Sequence, residues 1–141
     1  MAINKKDSIR EQKAMREKEK GNQAFKNGKF DEAINKYSLA IECDQGQPVI
    51  YCNRAMAYLK LNRFYEAKLD CDEAIKLDST YVKAYFRRGL ANSSLKDVDS
   101  AITDFNCVLE LDPNNKEAKN ELIKLEKGWN GYPDTDSPRS A

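Results

Sequence analysis

The chain contains no histidine, so it lacks the residue that most often serves as a general base or as a nitrogen ligand for zinc. The usual Ser-His-Asp and Cys-His catalytic arrangements and the Cys/His zinc sites are therefore excluded. The four cysteines, Cys43, Cys52, Cys71 and Cys107, nowhere show the C-x-x-C spacing. We interpret them as small apolar residues in a reducing compartment. The sequence predicts no enzyme, and neither a metal nor another cofactor is expected.

The sequence also lacks an excess of charge of either sign and a long hydrophobic run. Its net charge is +1, which favours neither nucleic acid nor an anionic membrane as a partner. No apolar run approaches the roughly 18 residues of a membrane-spanning helix, and the N-terminus has no apolar signal-peptide core. We therefore predict a cytoplasmic, monomeric protein that binds neither nucleic acid nor membrane.

An internal repeat is the strongest positive feature of the chain. Similar residues recur at a spacing of 34, which is the period of the tetratricopeptide repeat, a unit of two helices. The recurring sets are Ala33, Ala67 and Ala101; Phe30, Phe64 and Val98; Ile41, Ile75 and Leu109; and Asp44, Asp78 and Asp112. The fold class predicted is all-α, a right-handed α-solenoid of three tetratricopeptide helix pairs followed by a C-terminal capping helix.

Helical periodicity and turn residues give the expected boundaries. The predicted helices span 9–27, 30–43, 48–61, 64–77, 81–95, 98–111 and 115–127, and the repeats span about 14–47, 48–81 and 82–115. Ser8 with Glu11 and Asn114 with Glu117 are the start signals for the first and last helices. The predicted domain covers 9–127, between a disordered segment 1–8 and a linker or disordered tail at 128–141. This tail suggests a fragment of a longer protein.

Polar residues on the first helix of each pair form the candidate site. Lys83 and Arg87 are four residues apart and therefore share one helix face, as do Lys18 and Asn22. Asn53 occupies the corresponding helix of the middle pair, and stacking of the repeats places these helix faces side by side. A C-terminal aspartate carries two carboxylates, which charged donors bind about twice as strongly as neutral ones. The pattern predicts a groove for an anionic peptide end.

With these residues, the stretch 15–127 resembles the carboxylate-clamp tetratricopeptide domains of co-chaperones. Segment 18–22 matches the first clamp element, Asn53 within 51–55 the second, and Lys83 with Arg87 the third. The resemblance implies an adaptor that grips the C-terminal Glu-Glu-Val-Asp tail of the heat-shock chaperones Hsp90 and/or Hsp70. Lys18, Asn22 and Asn53 would hold the terminal carboxylates, while Lys83 and Arg87 would bind the tail's acidic groups and backbone. The rest of the parent protein would contact other assembly co-chaperones.

Four apolar residues are candidates for the groove wall, where they would accept the apolar residue of the tail: Phe25, Met56, Phe86 and Leu90. Phenylalanine or methionine at helical spacing is more often plain core, and both interpretations stay open. Arg88, next to a predicted clamp residue, is interpreted as a salt-bridging residue.

Two other classes of function compete with the clamp. A tetratricopeptide scaffold could bind an internal peptide or a folded partner without using a free C-terminal carboxylate, and an amidated peptide would distinguish the two. An enzyme would need Cys52 or Tyr85 to react without a histidine or a recognisable base, and no motif supports it.

Overall fold

The computed structural model describes residues 5–128, which form seven α-helices and contain no β-strand. The helices are α1 (Lys5–Lys26), α2 (Phe30–Cys43), α3 (Pro48–Lys60), α4 (Phe64–Leu77), α5 (Val82–Ser94), α6 (Val98–Leu111) and α7 (Lys116–Glu126). The all-α class and the number of helices are confirmed for this part of the chain. None of these helices is both long enough and apolar enough to span a membrane.

Neighbouring helices pack as three pairs, α1 with α2, α3 with α4 and α5 with α6. The pairs stack because α2 also packs on α3 and α4 on α5, while α3 lies against both α1 and α5. The first helices of the three pairs therefore line up on one side of the molecule. α7 packs on α6 through an apolar stripe, with Ala118 and Leu125 buried and Leu122 partly buried against the third pair.

One predicted helix start and one predicted cap residue are wrong. α1 begins at Lys5 rather than residue 9, so Ser8 lies inside the helix and residues 5–8 are not disordered. No glycine or proline lies between Lys5 and Ser8, so nothing stops the helix from extending past the capping box. For α7 the cap is Asn115 and not Asn114, because the Asn115 side chain accepts a hydrogen bond of 2.9 Å from the backbone N–H of Ala118.

All other helix boundaries agree with the prediction within one residue. Pro48 stands in the first turn of α3, where its missing N–H costs nothing. The predicted linker or tail at 128–141 lies outside the described residues except for Gly128.

Small residues occur where the two helices of a pair cross. A Cβ atom added to Gly89 would lie only 2.6 Å from Cε1 of Phe105, and real Cβ atoms do not approach carbon so closely. The equivalent positions of the other two pairs are Gly21 opposite Tyr37 and Ala55 opposite Cys71. A glycine thus faces each aromatic ring, and alanine is found where the opposite side chain is small.

Gly89→Ala is therefore expected to destabilise the domain by about 1–3 kcal/mol because it overpacks the contact with Phe105. The expected sign is opposite to that of an ordinary helix interior, where the same change stabilises by about 1 kcal/mol. Urea unfolding measures the difference. Gly46→Ala is the control, since its added Cβ would be no nearer than 3.5 Å to another residue. Equal stability of Gly89→Ala and the wild type would contradict this packing.

Candidate anion-binding groove

Two adjoining clefts run along the side where α1, α3 and α5 line up. One has a volume of about 290 Å³ and the other about 250 Å³. Met56 and Arg87 line both, so the two clefts form one groove, called here the α1–α3–α5 groove. It brings together seven of the nine predicted site residues: Asn22, Phe25, Asn53, Met56, Lys83, Phe86 and Arg87.

The other two predicted residues, Lys18 and Leu90, line neither of these clefts. Lys18 is partly exposed on α1, one helical turn before Asn22. Leu90 packs against the apolar cluster that contains the fully buried Phe105. The roles given to these two side chains, like those of the other seven, stay predictions.

Arg87 is the charged residue at the centre of the groove. Its Nη1 donates a hydrogen bond of 3.0 Å to the backbone carbonyl of Cys52 and lies 3.2 Å from the Cys52 Sγ. Both partners are uncharged, because a backbone carbonyl carries no net charge and burial raises the pKa of the Cys52 thiol. No carboxylate within residues 5–128 forms an ion pair with Arg87. The guanidinium is held in place while its charge stays available to a ligand.

Two other arginines, Arg54 on α3 and Arg88 on α5, are neutralised by aspartates. Arg54 donates from Nε and Nη2 to Asp70 at 2.8 and 2.7 Å, and Arg88 donates to both Asp104 and Asp72 at 2.8 Å. These acids lie on α4 and α6, so the three ion pairs join different helices. The interpretation of Arg88 as a salt-bridging residue is confirmed, and its neighbour Arg87 differs from it in having no acidic partner.

The two lysines of the predicted site also lack partners in the described part of the chain. Neither Lys18 nor Lys83 forms a hydrogen bond or an ion pair with another residue of 5–128. Two acids, Glu19 and Glu117, line the groove without pairing with these cations. Together with Arg87 and with Lys26, which also lines the groove, four cations on the groove side form no ion pair within residues 5–128.

The two predicted asparagines meet through one oxygen atom. Asn22 Oδ1 accepts a hydrogen bond of 2.6 Å from the Tyr37 hydroxyl and one of 3.3 Å from Asn53 Nδ2. Since both contacts use the oxygen, the NH₂ group of Asn22 is left to donate elsewhere, and no described residue accepts from it. The amide of Asn22 thus offers the groove a donor.

Sequence reasoning missed six residues that line the groove: Glu19, Lys26, Tyr37, Val82, Asn115 and Glu117. Tyr37 belongs to the apolar stripe of α2 and is buried, as the periodicity indicates, but its hydroxyl reaches the groove. The third repeat has Phe105 at the equivalent position, so a tyrosine there was a usable signal. Glu19 and Lys26 lie on a helix with many other charged residues, so nothing in the sequence marked these two as groove residues.

The apolar candidates Phe25 and Phe86 serve the core and the groove together. Phe25 makes an edge-to-face contact with Phe30 and Phe86 makes one with Phe105, with ring centroids 5.1 and 5.5 Å apart. Each of the two also lines one of the clefts. For Phe25 and Phe86 the two interpretations left open by the sequence, core residue and groove wall, are therefore compatible.

The helix pairs and their groove define a repeat protein whose first helices form a binding surface. Residues 48–81 and 82–115 match the family described as "Tetratricopeptide repeat", and residues 21–62 match the related "TPR repeat". The chain belongs to the tetratricopeptide repeat family.

Among curated proteins, the chain is similar to human RNA polymerase II-associated protein 3, with 47% identity over 126 residues. It is also similar to human sperm-associated antigen 1, with 44% identity over 108 residues. These matches cover 86% and 77% of this chain but only 19% and 12% of the relatives, so the chain spans less than a fifth of their length. Segments 53–60 and 81–89 predict a resemblance to the repeats of these proteins and of the spaghetti co-chaperones, and that narrower resemblance is confirmed for the chain as a whole.

Two similar solved structures contain peptides. The first TPR of Spaghetti (RPAP3) bound to the HSP90 peptide SRMEEVD has a TM-score of 0.83 and 47% identity, and the match covers 84% of this chain and 94% of that one. The second TPR domain of human RPAP3 in complex with the HSP70 peptide SGPTIEEVD has a TM-score of 0.79 and 42% identity, covering 85% and 98%.

Proposed function

We propose that this domain is a co-chaperone adaptor module that binds the acidic C-terminal tail of Hsp90 or Hsp70, ending in Glu-Glu-Val-Asp, in the α1–α3–α5 groove. The observation that carries the proposal is the presence of Asn22, Asn53 and the unneutralised Arg87 in one cleft. Such donors suit a carboxylate because charge-assisted hydrogen bonds are the strong ones. The peptides bound by the similar RPAP3 domains support the same class of ligand.

Within this proposal the residues divide the tail between them. Lys18, Asn22 and Asn53 hold the two carboxylates of the last aspartate, and Lys83 and Arg87 bind the acidic side chains and backbone that precede it. The apolar walls of the groove, with Phe25, Met56 and Phe86, receive the tail's apolar residue, and Leu90 supports them from the core.

The wider biology is part of the proposal. Parts of the parent protein outside this chain would contact other assembly co-chaperones, since the chain spans less than a fifth of its curated relatives. We place the module in the cytoplasm as a monomer that acts by binding rather than catalysis. The four cysteines are all free thiols, which suits a reducing compartment.

Titration with the peptide SRMEEVD by calorimetry tests the proposal. We expect roughly micromolar binding, about −7 to −8 kcal/mol, which weakens as salt is added because charged groups carry it. Amidating the peptide's C-terminus removes one of the two terminal charges and should weaken binding about tenfold or more. If the free and amidated peptides bind equally, the groove is a scaffold for internal peptides and the clamp mechanism is wrong.

A further inference from the structure

The hydroxyl group of Tyr37 is not needed for the packing of its ring. Tyr37 packs on Gly21 in the first pair as Phe105 packs on Gly89 in the third, with a Cβ at either glycine placed 2.6 Å from the ring. Both aromatic residues are almost completely buried. Because phenylalanine satisfies this position in one repeat, the ring accounts for the fold and the hydroxyl of Tyr37 calls for a different explanation.

The hydroxyl determines which way the Asn22 amide faces. Tyr37 is protonated at neutral pH, as an ordinary tyrosine is, and burial raises its pKa further, to about 12. A buried O–H group needs an acceptor, and Asn22 Oδ1 is that acceptor at 2.6 Å. If the Asn22 amide rotated by half a turn, its NH₂ group could donate to the Tyr37 hydroxyl oxygen, but the hydroxyl proton would then have no acceptor among the described residues.

Asn53 alone could not enforce this orientation. Its Nδ2 donates to Asn22 Oδ1 at 3.3 Å, but an amide has a donor and an acceptor side, so two facing amides can invert together and keep one hydrogen bond. The Tyr37 hydroxyl breaks this symmetry, because its buried proton has an acceptor among the described residues only when the Asn22 oxygen faces it. It therefore fixes the polarity of the Asn22–Asn53 pair.

We propose that Tyr37 is a specificity-determining positioning residue, which acts through Asn22 to make the groove select a C-terminal carboxylate over a carboxamide. With the Asn22 oxygen held by Tyr37, only the NH₂ group faces the ligand, and this group can donate to a carboxylate. A carboxamide end keeps only one oxygen to accept from the donors of the groove, and its NH₂ group finds no acceptor on the Asn22 amide held in this orientation. The inference rests on the proposed function, since it concerns the ligand of the same groove.

The experiment compares free and amidated SRMEEVD peptides on the wild type, Tyr37→Phe, Asn22→Ala and the double variant by calorimetry. Tyr37→Phe should weaken binding of the free peptide about three- to tenfold, as expected for losing one well-placed hydrogen bond. Binding of the amidated peptide should change less, because the freed Asn22 amide can turn its oxygen to the carboxamide. The ratio of the two affinities therefore falls. In the Asn22→Ala background, Tyr37→Phe should have no further effect, because the tyrosine acts through that amide.

Tyr85→Phe is the matched control, since it loses a hydrogen bond of 2.9 Å to the Ser79 carbonyl without touching either cleft. It should leave both affinities unchanged, and circular dichroism should show all variants folded. Equal weakening of both peptides by Tyr37→Phe, or a full effect that persists in the Asn22→Ala background, would overturn the positioning role. A wild-type preference for the free peptide that Tyr37→Phe retains refutes only the role of Tyr37. Equal binding of the two peptides by the wild type refutes the proposed function.

Discussion

Replacing Arg54 with methionine is expected to lower the free energy of unfolding by about 3–5 kcal/mol, the cost of removing one partner of a buried ion pair. The remaining partner, Asp70, is only 4% exposed and receives both of its side-chain hydrogen bonds from Arg54. Methionine keeps most of the apolar stem of the arginine, so the change tests mainly the charge. Urea unfolding of the two proteins at pH 7 measures the effect.

The penalty should depend on pH through Asp70. Burial raises the pKa of this carboxyl and Arg54 opposes the rise, so the pKa should rise further in Arg54→Met. A carboxyl with a higher pKa in the folded than in the unfolded state takes up a proton on folding, which favours the folded state at low pH. The destabilisation relative to the wild type should therefore shrink as the pH falls from 7 towards the unfolded pKa of about 4.

Two variants control for this interpretation. Arg63→Met removes an arginine that also pairs with a carboxylate and lies over Tyr58, but on the surface, and it should change the stability little. The double variant Arg54→Met/Asp70→Leu should be more stable than Arg54→Met alone, because it removes the unpaired charge. If Arg54→Met unfolds like the wild type, the pair contributes nothing to the fold.

Replacing Arg87 with alanine is expected to weaken binding of the SRMEEVD peptide at least tenfold, which corresponds to about 1.5–3 kcal/mol for a hydrogen bond to a charged group. The protein should stay folded, since Arg87 forms no ion pair within residues 5–128 and bonds only to Cys52. The salt dependence of binding should also decrease, because one cation is removed from the groove. Calorimetry at two salt concentrations measures both effects.

The loss of peptide affinity in Arg87→Ala should be compared with that of other variants. Lys83→Ala should weaken binding by a similar factor, and Asn22→Ala and Asn53→Ala by less, because they remove neutral donors. Lys119→Ala, on the exposed side of α7 and outside both clefts, should have no effect. If Arg87→Ala binds the peptide as tightly as the wild type, the acidic tail is recognised elsewhere on the domain.

The fold was predictable because similar residues recur at a constant spacing along the sequence. A period of 34 with alanine at 33, 67 and 101 requires equal helix pairs, and each of these alanines is fully buried where helices meet. The start of α1 was predicted wrongly for a local reason. A capping box marks a favourable start, but residues 5–8 are free of glycine and proline and simply continue the helix.

The candidate site was predictable only as a set of helix faces. Helical spacing places Lys83 and Arg87 on one side of α5 and indicates that Asn22 and Asn53 lie on the matching sides of α1 and α3. It gives no information on what each side chain contacts, because those partners come from other helices. Asn22 and Tyr37 are 15 positions apart in the chain, and the packing of α1 on α2 brings them together; no local sequence pattern encodes that contact.

The sequence by itself determined the repeat, the helix pairs and the cations that face one side of the stack, because all of these follow from residue spacing along single helices. The tertiary structure alone decided which of Arg54, Arg87 and Arg88 has no acidic partner within residues 5–128. Arg54 and Arg88 meet aspartates 16 positions further along the chain, whereas Arg87 meets the backbone carbonyl of Cys52, 35 positions earlier. It also decided the direction of the Asn22 amide, through the buried hydroxyl of Tyr37. Charge compensation and hydrogen-bond polarity depend on atoms that only folding brings within about 3 Å, so they cannot be read from spacing.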